Sequence, residues 1–302
     1  MKLLQRLGDI ARWIAIPSCF LLASSALAAP WPELSEKLSP LVEKAANNGV
    51  RLSIGVLDLT AQGSDAKEVL LGSANSYPPA STVKMLLVSA LMEQVDAGTL
   101  SLSDMAVVEA KDIVGGYGVV QNEPTPQEVP IARLAELMIT ISDNTATNVL
   151  VDVVGYSAME DLATRLELPD LQFARKMFGT PKPPEVENYI TAADSIVLLQ
   201  AIYKGDFLSA SSRQQILDWM SAQTVKTKIG AGVPAGIPIA HKTGENGPVS
   251  HDVGYILIPR KEVAIAIFAE TSTSSDFDTA QAQLNPMVAE VARTVALSLQ
   301  SE

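Results

Sequence analysis

A serine and a lysine three residues apart, Ser81 and Lys84, could form an activated nucleophile. They follow Pro79 and precede the apolar run 85–92, which predicts a buried helix that begins at Ser81. Residues three apart share one face of a helix, so the Lys84 amine would reach the Ser81 hydroxyl. Burial would favour the neutral amine, the form that can activate a serine. The alternative is that Ser81 only caps the helix and Lys84 extends to water.

Two tripeptides later in the chain carry further polar side chains. Ser142-Asp143-Asn144 lies between two predicted helices, and Lys242-Thr243-Gly244 ends the predicted strand 237–241. Each has a plain structural interpretation when taken alone. Ser142 or Asp143 could cap the following helix, and the second tripeptide could be a strand end with a solvated lysine and a glycine turn.

The three motifs together are far more informative than any one of them. Ser-x-x-Lys, Ser-Asp-Asn and Lys-Thr-Gly follow in this order, about 60 and then about 100 residues apart. From about residue 34 to the C-terminus, the chain resembles the class A β-lactamases and their serine-hydrolase relatives, which include penicillin-binding proteins. Three further stretches support the resemblance: Val95-Asp96-Ala97-Gly98, Met138-Ile139-Thr140-Ile141 and Thr145-Ala146-Thr147-Asn148.

The resemblance assigns the catalytic roles to three side chains. Ser81 would attack the carbonyl of a β-lactam or an acylated peptide, and Lys84 would help to remove its proton. Ser142 would pass a proton to the leaving nitrogen, which is general acid catalysis.

The resemblance also implies a set of substrate-binding groups. Asn144 would hold the side-chain amide of the substrate, and Lys242 and Thr243, with Gly244 beside them, would bind its carboxylate. The backbone N–H groups of Ser81 and Glu245 would form the oxyanion hole. Tyr117 would flank the cleft, although it could equally be an ordinary loop aromatic.

The sequence departs from class A β-lactamases in the loop after Leu166. In that family a Glu-x-x-x-Asn pair positions the deacylating water, and no such pair occurs between Arg175 and Asn188. We expect Glu185 and Glu187 to be structural or solvent-facing and Asn188 to cap the following segment. Fast β-lactam hydrolysis is therefore in doubt, whereas acylation of Ser81 is not.

These observations lead to one predicted function and two rivals. The predicted function is hydrolysis of β-lactams through an acyl-Ser81 intermediate. The first rival is an amidase, esterase or DD-peptidase-like enzyme acting on peptidoglycan-related substrates. The second is a penicillin-binding sensor that is acylated once without turnover.

The elements that must position these groups suggest an α/β (α+β) fold. Helix 33–47, strand 51–59 and strand 67–71 come first, helices dominate from 81 to 222, and strands return at 237–242, 253–258 and 263–269 before a last helix at 286–299. We therefore predict an antiparallel sheet lobe flanked by terminal helices (about 29–75 and 223–302) and an all-helical lobe (about 76–222). The active site would lie between them.

The N-terminus and the composition indicate where the protein is located and which partners are improbable. Residues 1–28 have the basic start, the apolar core and the small-residue end of a secretory signal, which predicts an exported, periplasmic or secreted enzyme; a retained N-terminal anchor is the alternative. A net charge of -12 argues against nucleic acid and anionic membranes, and we expect a monomer that takes a small-molecule substrate.

Metal and cofactor chemistry have little support in the sequence. The only cysteine, Cys19, lies in the predicted signal, and the only histidines are His241 and His251. We therefore expect no metal site and no cofactor. His251-Asp252 is predicted to be a turn before the strand at Val253, and on a strand His241 would point away from Lys242.

Overall fold

A six-stranded sheet with helices on both faces forms the framework of the protein. The computed structural model describes residues 28–61, 65–72, 74–180 and 186–301. The sheet has the order β1-β3-β2-β8-β7-β6, and every pairing except that of β1 with β3 is antiparallel. The strands are β1 (Ala29–Pro30), β2 (Val50–Asp58), β3 (Lys67–Leu71), β4 (Met105–Val108), β5 (Gln127–Pro130), β6 (Ile239–Asn246), β7 (Val249–Ile258) and β8 (Lys261–Thr271), of which β4 and β5 form a separate pair.

The helices come from three parts of the chain. The first and last flank the sheet, and all the others lie between β3 and β6 in the chain. They are α1 (Pro32–Asn47), α2 (Lys84–Asp96), α3 (Ile131–Thr140), α4 (Asn144–Val154), α5 (Tyr156–Arg165), α6 (Ala192–Lys204), α7 (Ala210–Ser221), α8 (Ile229–Gly232) and α9 (Phe277–Ser301).

Two hydrophobic cores lie on opposite faces of the sheet. Along β8, Ile265 and Ile267 belong to the core under α1 and α9, whereas Ala266 and Phe268 belong to the core shared with the helices between β3 and β6. This division follows from the alternation of side chains along a strand. Every residue of α2 from Lys84 to Met92 is buried, so the predicted buried helix is confirmed and its lysine lies inside the protein.

The predicted fold class is confirmed, with corrections at several element ends. Strand 67–71 and the helix that ends at Asn47 match the structure. The lobe boundaries themselves stay a prediction. Lys242-Thr243-Gly244 does not end a strand, because β6 continues to Asn246 through its ladder with β7. The last helix begins at Phe277, so Pro286 lies within it and not in its first turn.

Two motif predictions are also corrected by the backbone. His251-Asp252 is not a turn, because both residues pair with β6 and β8 inside β7. Ser81 does not cap a helix with its side chain, because it belongs to a 3-10 turn, Ala80–Val83, that leads into α2. None of the helices within the described ranges is long and apolar enough to cross a membrane.

Candidate active site

Ser81 lies on a constrained turn beside the edge strand of the sheet. Ala80, the residue before it, has a φ of 48°, in the left-handed region that non-glycine residues rarely adopt. The Thr82 hydroxyl and backbone N–H both donate to the Pro79 carbonyl, over 2.7 and 3.1 Å. A Cβ at Gly244 would lie 2.8 Å from that same carbonyl oxygen, so glycine allows β6 to approach the turn closely. The sequence therefore fixes Ser81 between α2 and β6.

The Lys84 amine is fully buried and held by three oxygens. It donates to the Ser142 carbonyl over 2.7 Å and to Asn144 Oδ1 over 2.8 Å, and it lies 3.2 Å from Ser142 Oγ. Burial, and secondarily the charge of Lys242, lowers the pKa of Lys84 well below its usual value. The predicted neutral amine is thus supported. The hydrogen bonds of Lys84 within the described residues go to Ser142 and Asn144 and do not include the Ser81 hydroxyl.

Ser142 lies where the two motif lysines converge. Lys242 Nζ donates to Ser142 Oγ over 3.0 Å, opposite the amine of Lys84. The backbone of Ser142 has a φ of 61°, which turns the chain sharply between α3 and α4. One hydroxyl within reach of two amines can accept a proton from one and give it to another group. The geometry suits the proton relay that the motif implies.

Lys242 is more enclosed than the sequence predicted. It is fully buried, and its second hydrogen bond runs to the Thr243 carbonyl over 2.8 Å. Burial lowers the pKa of Lys242 to about 7, while the Asp252 carboxylate acts in the opposite direction. The Lys242 amine therefore does not point into the open cleft but lies behind the residues that line it.

Asp143 ties the loop of Tyr117 to the catalytic turn. Its carboxylate accepts from Ala146 N at the start of α4, so the predicted cap is confirmed for this residue. The same carboxylate accepts the backbone N–H groups of Val119 and Val120 over 2.7 and 3.0 Å. One carboxylate thus orders both the helix that carries Asn144 and the loop that carries Tyr117.

A cavity of about 710 Å³ opens at Ser81. It collects residues from the catalytic turn, the Tyr117 loop, the end of β6 and the segment after Leu166. Its lining consists of Pro78, Pro79, Ala80, Ser81, Gly116, Tyr117, Asn144, Arg175, Met177, Phe178, Glu187, Asn188, Glu245, Asn246, Gly247 and Phe277. The predicted residues Ser81, Asn144, Tyr117 and Glu245 therefore share one cavity wall. The geometry describes a small-molecule cleft with a serine at its floor.

Comparison with known proteins agrees with this geometry. Residues 33–297 match the β-lactamase enzyme family. The chain belongs to that family. The β-lactamase AER-1 of Aeromonas hydrophila is 27% identical over 210 residues, which cover 66% of this chain and 67% of the relative. The structure of PBP-A superposes with a TM-score of 0.80 at 25% identity, over 91% of this chain and 98% of the other. The structure of an ancestral class A β-lactamase superposes with a TM-score of 0.76 at 28% identity, over 88% of this chain and 99% of the other.

The chain is therefore a class A β-lactamase-like serine hydrolase, as the three motifs predicted. The peptidoglycan-directed enzyme and the non-turnover sensor are not favoured by these comparisons.

The segment that differs from class A β-lactamases, residues 167–180 and 186–190, is here called the cleft loop. Asn188 does not cap the following helix, because its side chain accepts from Ala174 N and Arg175 N and donates to the Arg175 carbonyl. Thr191 caps α6 instead. Glu187 pairs with Arg175 over 2.5 Å, with about half of its side chain exposed, and Glu185 lies outside the described residues.

Met177 is the cleft-loop residue that Asn148 fixes against the cavity. Asn148 donates to the Met177 carbonyl over 3.1 Å and accepts its backbone N–H over 2.8 Å. Met177 thus lines the cavity beside Ser81 with a side chain that cannot act as a base. The motifs in the sequence did not point to this residue as part of the cavity lining.

Three buried groups near the site make contacts that the sequence did not predict. Lys228 is fully buried in an ion pair with Glu245, although nothing in its neighbourhood in the sequence indicates burial. His241 Nδ1 lies 2.9 Å from the Asp252 carboxylate, which also accepts Ile229 N. His251 donates from Nε2 to the Pro78 carbonyl over 2.9 Å, since its Nδ1 accepts Ala269 N. The catalytic turn is therefore held from behind by β7.

Proposed function

We propose that the protein hydrolyses β-lactams by acylation and deacylation of Ser81, with Lys84 and Ser142 as the proton-transfer groups. The observation that carries this assignment is the convergence of the Lys84 and Lys242 amines on Ser142 Oγ, beside a serine that lines the cleft.

The hydrogen bonds of Lys84 explain how it can accept a proton. A neutral amine has two N–H donors and one lone pair. The Ser142 carbonyl and Asn144 Oδ1 can only accept, so they take the two N–H groups. The lone pair is then left for a hydroxyl proton. In the proposed reaction it receives the proton of Ser81 as the serine oxygen attacks the lactam carbonyl.

Ser142 then completes the proton transfer. It receives a proton from Lys84 and gives its own to the lactam nitrogen as the ring C–N bond breaks, which leaves an ester on Ser81. The ammonium of Lys242 next to Ser142 Oγ stabilises negative charge that develops there. Because β6 is an edge strand, half of its backbone N–H groups point away from β7. The Glu245 N–H is proposed to form the oxyanion hole with that of Ser81.

Deacylation is proposed to be the slower half of the reaction. It requires a water near the ester and a base to take its proton, and the wall beside Ser81 offers Met177 where a carboxylate would serve. Glu187 is engaged by Arg175. We therefore expect a burst of about one equivalent of product per enzyme followed by a slower steady rate.

Incubation with a chromogenic cephalosporin tests the function directly. The product is followed by absorbance and the protein by intact mass over the same period. We expect a transient adduct that digestion maps to Ser81 and that disappears as product accumulates. A Ser81→Ala variant that still forms the adduct would overturn the assignment, and a wild-type adduct that never decays would leave acylation without hydrolysis.

The remaining parts of the assignment concern the whole chain. Lys242 and Thr243 are proposed to bind the carboxylate of the substrate, and residues 29–302 to form one exported, monomeric enzyme after removal of residues 1–28. The signal-like segment lies outside the described residues. N-terminal sequencing of the enzyme secreted by its native host and light scattering of the purified chain test these two statements.

A further inference from the structure

The Glu245 carboxylate is bound by the protein's own groups on both of its oxygens. Lys228 Nζ pairs with Oε1, and the Tyr117 hydroxyl donates to Oε2 over 2.6 Å. The Lys228 side chain is 0% exposed and that of Glu245 is 7% exposed. This is a nearly buried carboxylate in the cavity lining with a partner on each oxygen, which is unlike a surface ion pair.

The same groups separate the buried lysines from the cleft. Glu245 and Tyr117 line the cavity at Ser81, whereas Lys228 and Lys242, both fully buried, are not among its lining residues in the described part of the chain. The two ammonium groups lie close enough for the charge of Lys228 to lower the pKa of Lys242. A small cationic region therefore lies directly behind the Glu245 carboxylate.

The contact between Tyr117 and Glu245 also bridges the cleft. Tyr117 belongs to the loop anchored on Asp143, and its own carbonyl accepts Asn144 N over 3.0 Å. Glu245 belongs to β6, three residues after Lys242. A carboxylate that entered from the cavity would meet the Glu245 carboxylate before it reached either lysine.

We propose that Glu245 is a specificity determinant whose carboxylate occupies an anion subsite formed with Lys228 and competes there with the carboxylate of the substrate. This inference rests on the proposed acylation of Ser81. Two carboxylates cannot share one ammonium group without strong repulsion, so an anionic substrate has to displace Glu245. A neutral ester of the same substrate carries no such charge and is not subject to this competition.

The test compares acylation of Ser81 by benzylpenicillin and by its methyl ester. Rates are measured by acid quench and intact mass, and the acid-to-ester ratio is taken for each variant. Glu245→Gln removes the charge, keeps the shape and leaves the backbone N–H in place. We expect it to raise the ratio by about 10-fold or more, since like-charge repulsion is removed.

Two further variants separate competition from simpler effects. Lys228→Met combined with Glu245→Gln leaves no unpaired buried charge and should return the ratio to the wild-type value or below it. Glu290 lies on α9 and forms an exposed ion pair with Lys44 of α1. Glu290→Gln removes that carboxylate and should leave the ratio unchanged. Thermal unfolding midpoints confirm that each variant is folded.

The outcomes distinguish this inference from the proposed function. An unchanged ratio in Glu245→Gln, or an equal rise in the double variant that lacks Lys228, would overturn the competition while Ser81 acylation stands. A complete lack of adduct with both substrates in every variant would overturn both proposals.

Discussion

The catalytic turn and the cleft loop face the same cavity but are built in different ways. Ser142, Lys84 and Lys242 are buried, and the polar atom of each side chain has a hydrogen-bond partner inside the protein. The ion pairs of the cleft loop, such as Lys176 with Asp152, are partly exposed, although the buried amides of Asn148 and Asn188 also hold its backbone. The first region already brings its proton-transfer groups together, whereas the described residues of the second present no unpaired carboxylate to the cavity. The cleft therefore holds the groups that acylation of Ser81 needs but offers less support for deacylation.

The largest expected effect concerns the base of the catalytic turn. Lys84→Ala should slow acylation of Ser81 by ~10²–10⁴-fold, because general base catalysis contributes that much. The fold should survive, since removal of a neutral amine leaves no buried unpaired charge. Acylation rates from quenched intact-mass measurements and unfolding midpoints check the two statements. Acylation at the wild-type rate would show that the lysine is structural.

The second prediction uses His251 to test how the turn is held. Burial lowers the pKa of His251 to about 4 from its usual 6.5, and the charges of Lys228 and Arg51 act in the same direction. As the pH falls, the unfolded chain is protonated first, so this contribution is fully present above pH 6.5 and is lost between 6.5 and 4. Between pH 7 and 5 we expect a loss of about 2 kcal/mol in the free energy of unfolding.

A His251→Gln variant is the control for that loss. Urea unfolding at the two pH values is compared between the variant and the wild type, because other groups also titrate in this range. Asp194, whose pKa burial raises to about 6, contributes with the opposite sign in both proteins. The variant should be less stable at pH 7 and less sensitive to pH. The same pH dependence in both proteins would contradict the assigned cause.

The third prediction gives the cleft loop a base, as the catalytic turn already has in Lys84. Met177→Glu places a carboxylate at a backbone position that Asn148 fixes in the lining of the cavity that contains Ser81. A base there should raise the steady rate of β-lactam turnover by ~10-fold or more and leave the amplitude of the burst unchanged. Stopped-flow absorbance with a chromogenic cephalosporin measures both phases. Met177→Gln is the matched control, and an equal gain with glutamine would mean that polarity, not basicity, limits the step.

The sequence predicted the catalytic turn better than the cleft loop for a physical reason. Ser81, Ser142 and Lys242 belong to short motifs whose residue types are tied to one chemistry, so their convergence could be expected from order and spacing. Lys228 and Met177 belong to no such motif. Their positions depend on tertiary contacts, with Glu245 and with Asn148, that join residues far apart in the chain.

The strand around Lys242 shows the same limit. The alternation of side chains correctly separated His241 from Lys242, because that rule needs only the neighbouring residue. The predicted strand ended before β6 does, because a glycine such as Gly244 is typical of a turn. In the structure that glycine allows close packing against the catalytic turn. The glycine was interpreted from its neighbours in the sequence, whereas the reason for it is the close approach of the turn at Pro79.

The smallest expected effect belongs to the glutamate nearest the cavity in the cleft loop. Glu187→Gln should change the steady rate by less than about twofold, because its carboxylate is bound to Arg175 Nε and is about half exposed, which leaves it neither free nor desolvated as a base. Glu185→Gln is measured beside it, and the burst amplitude serves as the internal control for acylation. If either variant abolishes the steady rate and spares the burst, that glutamate is the base that activates water. The cleft loop would then be a rearranged deacylation site, and the contrast between the two regions would be one of geometry and not of missing chemistry.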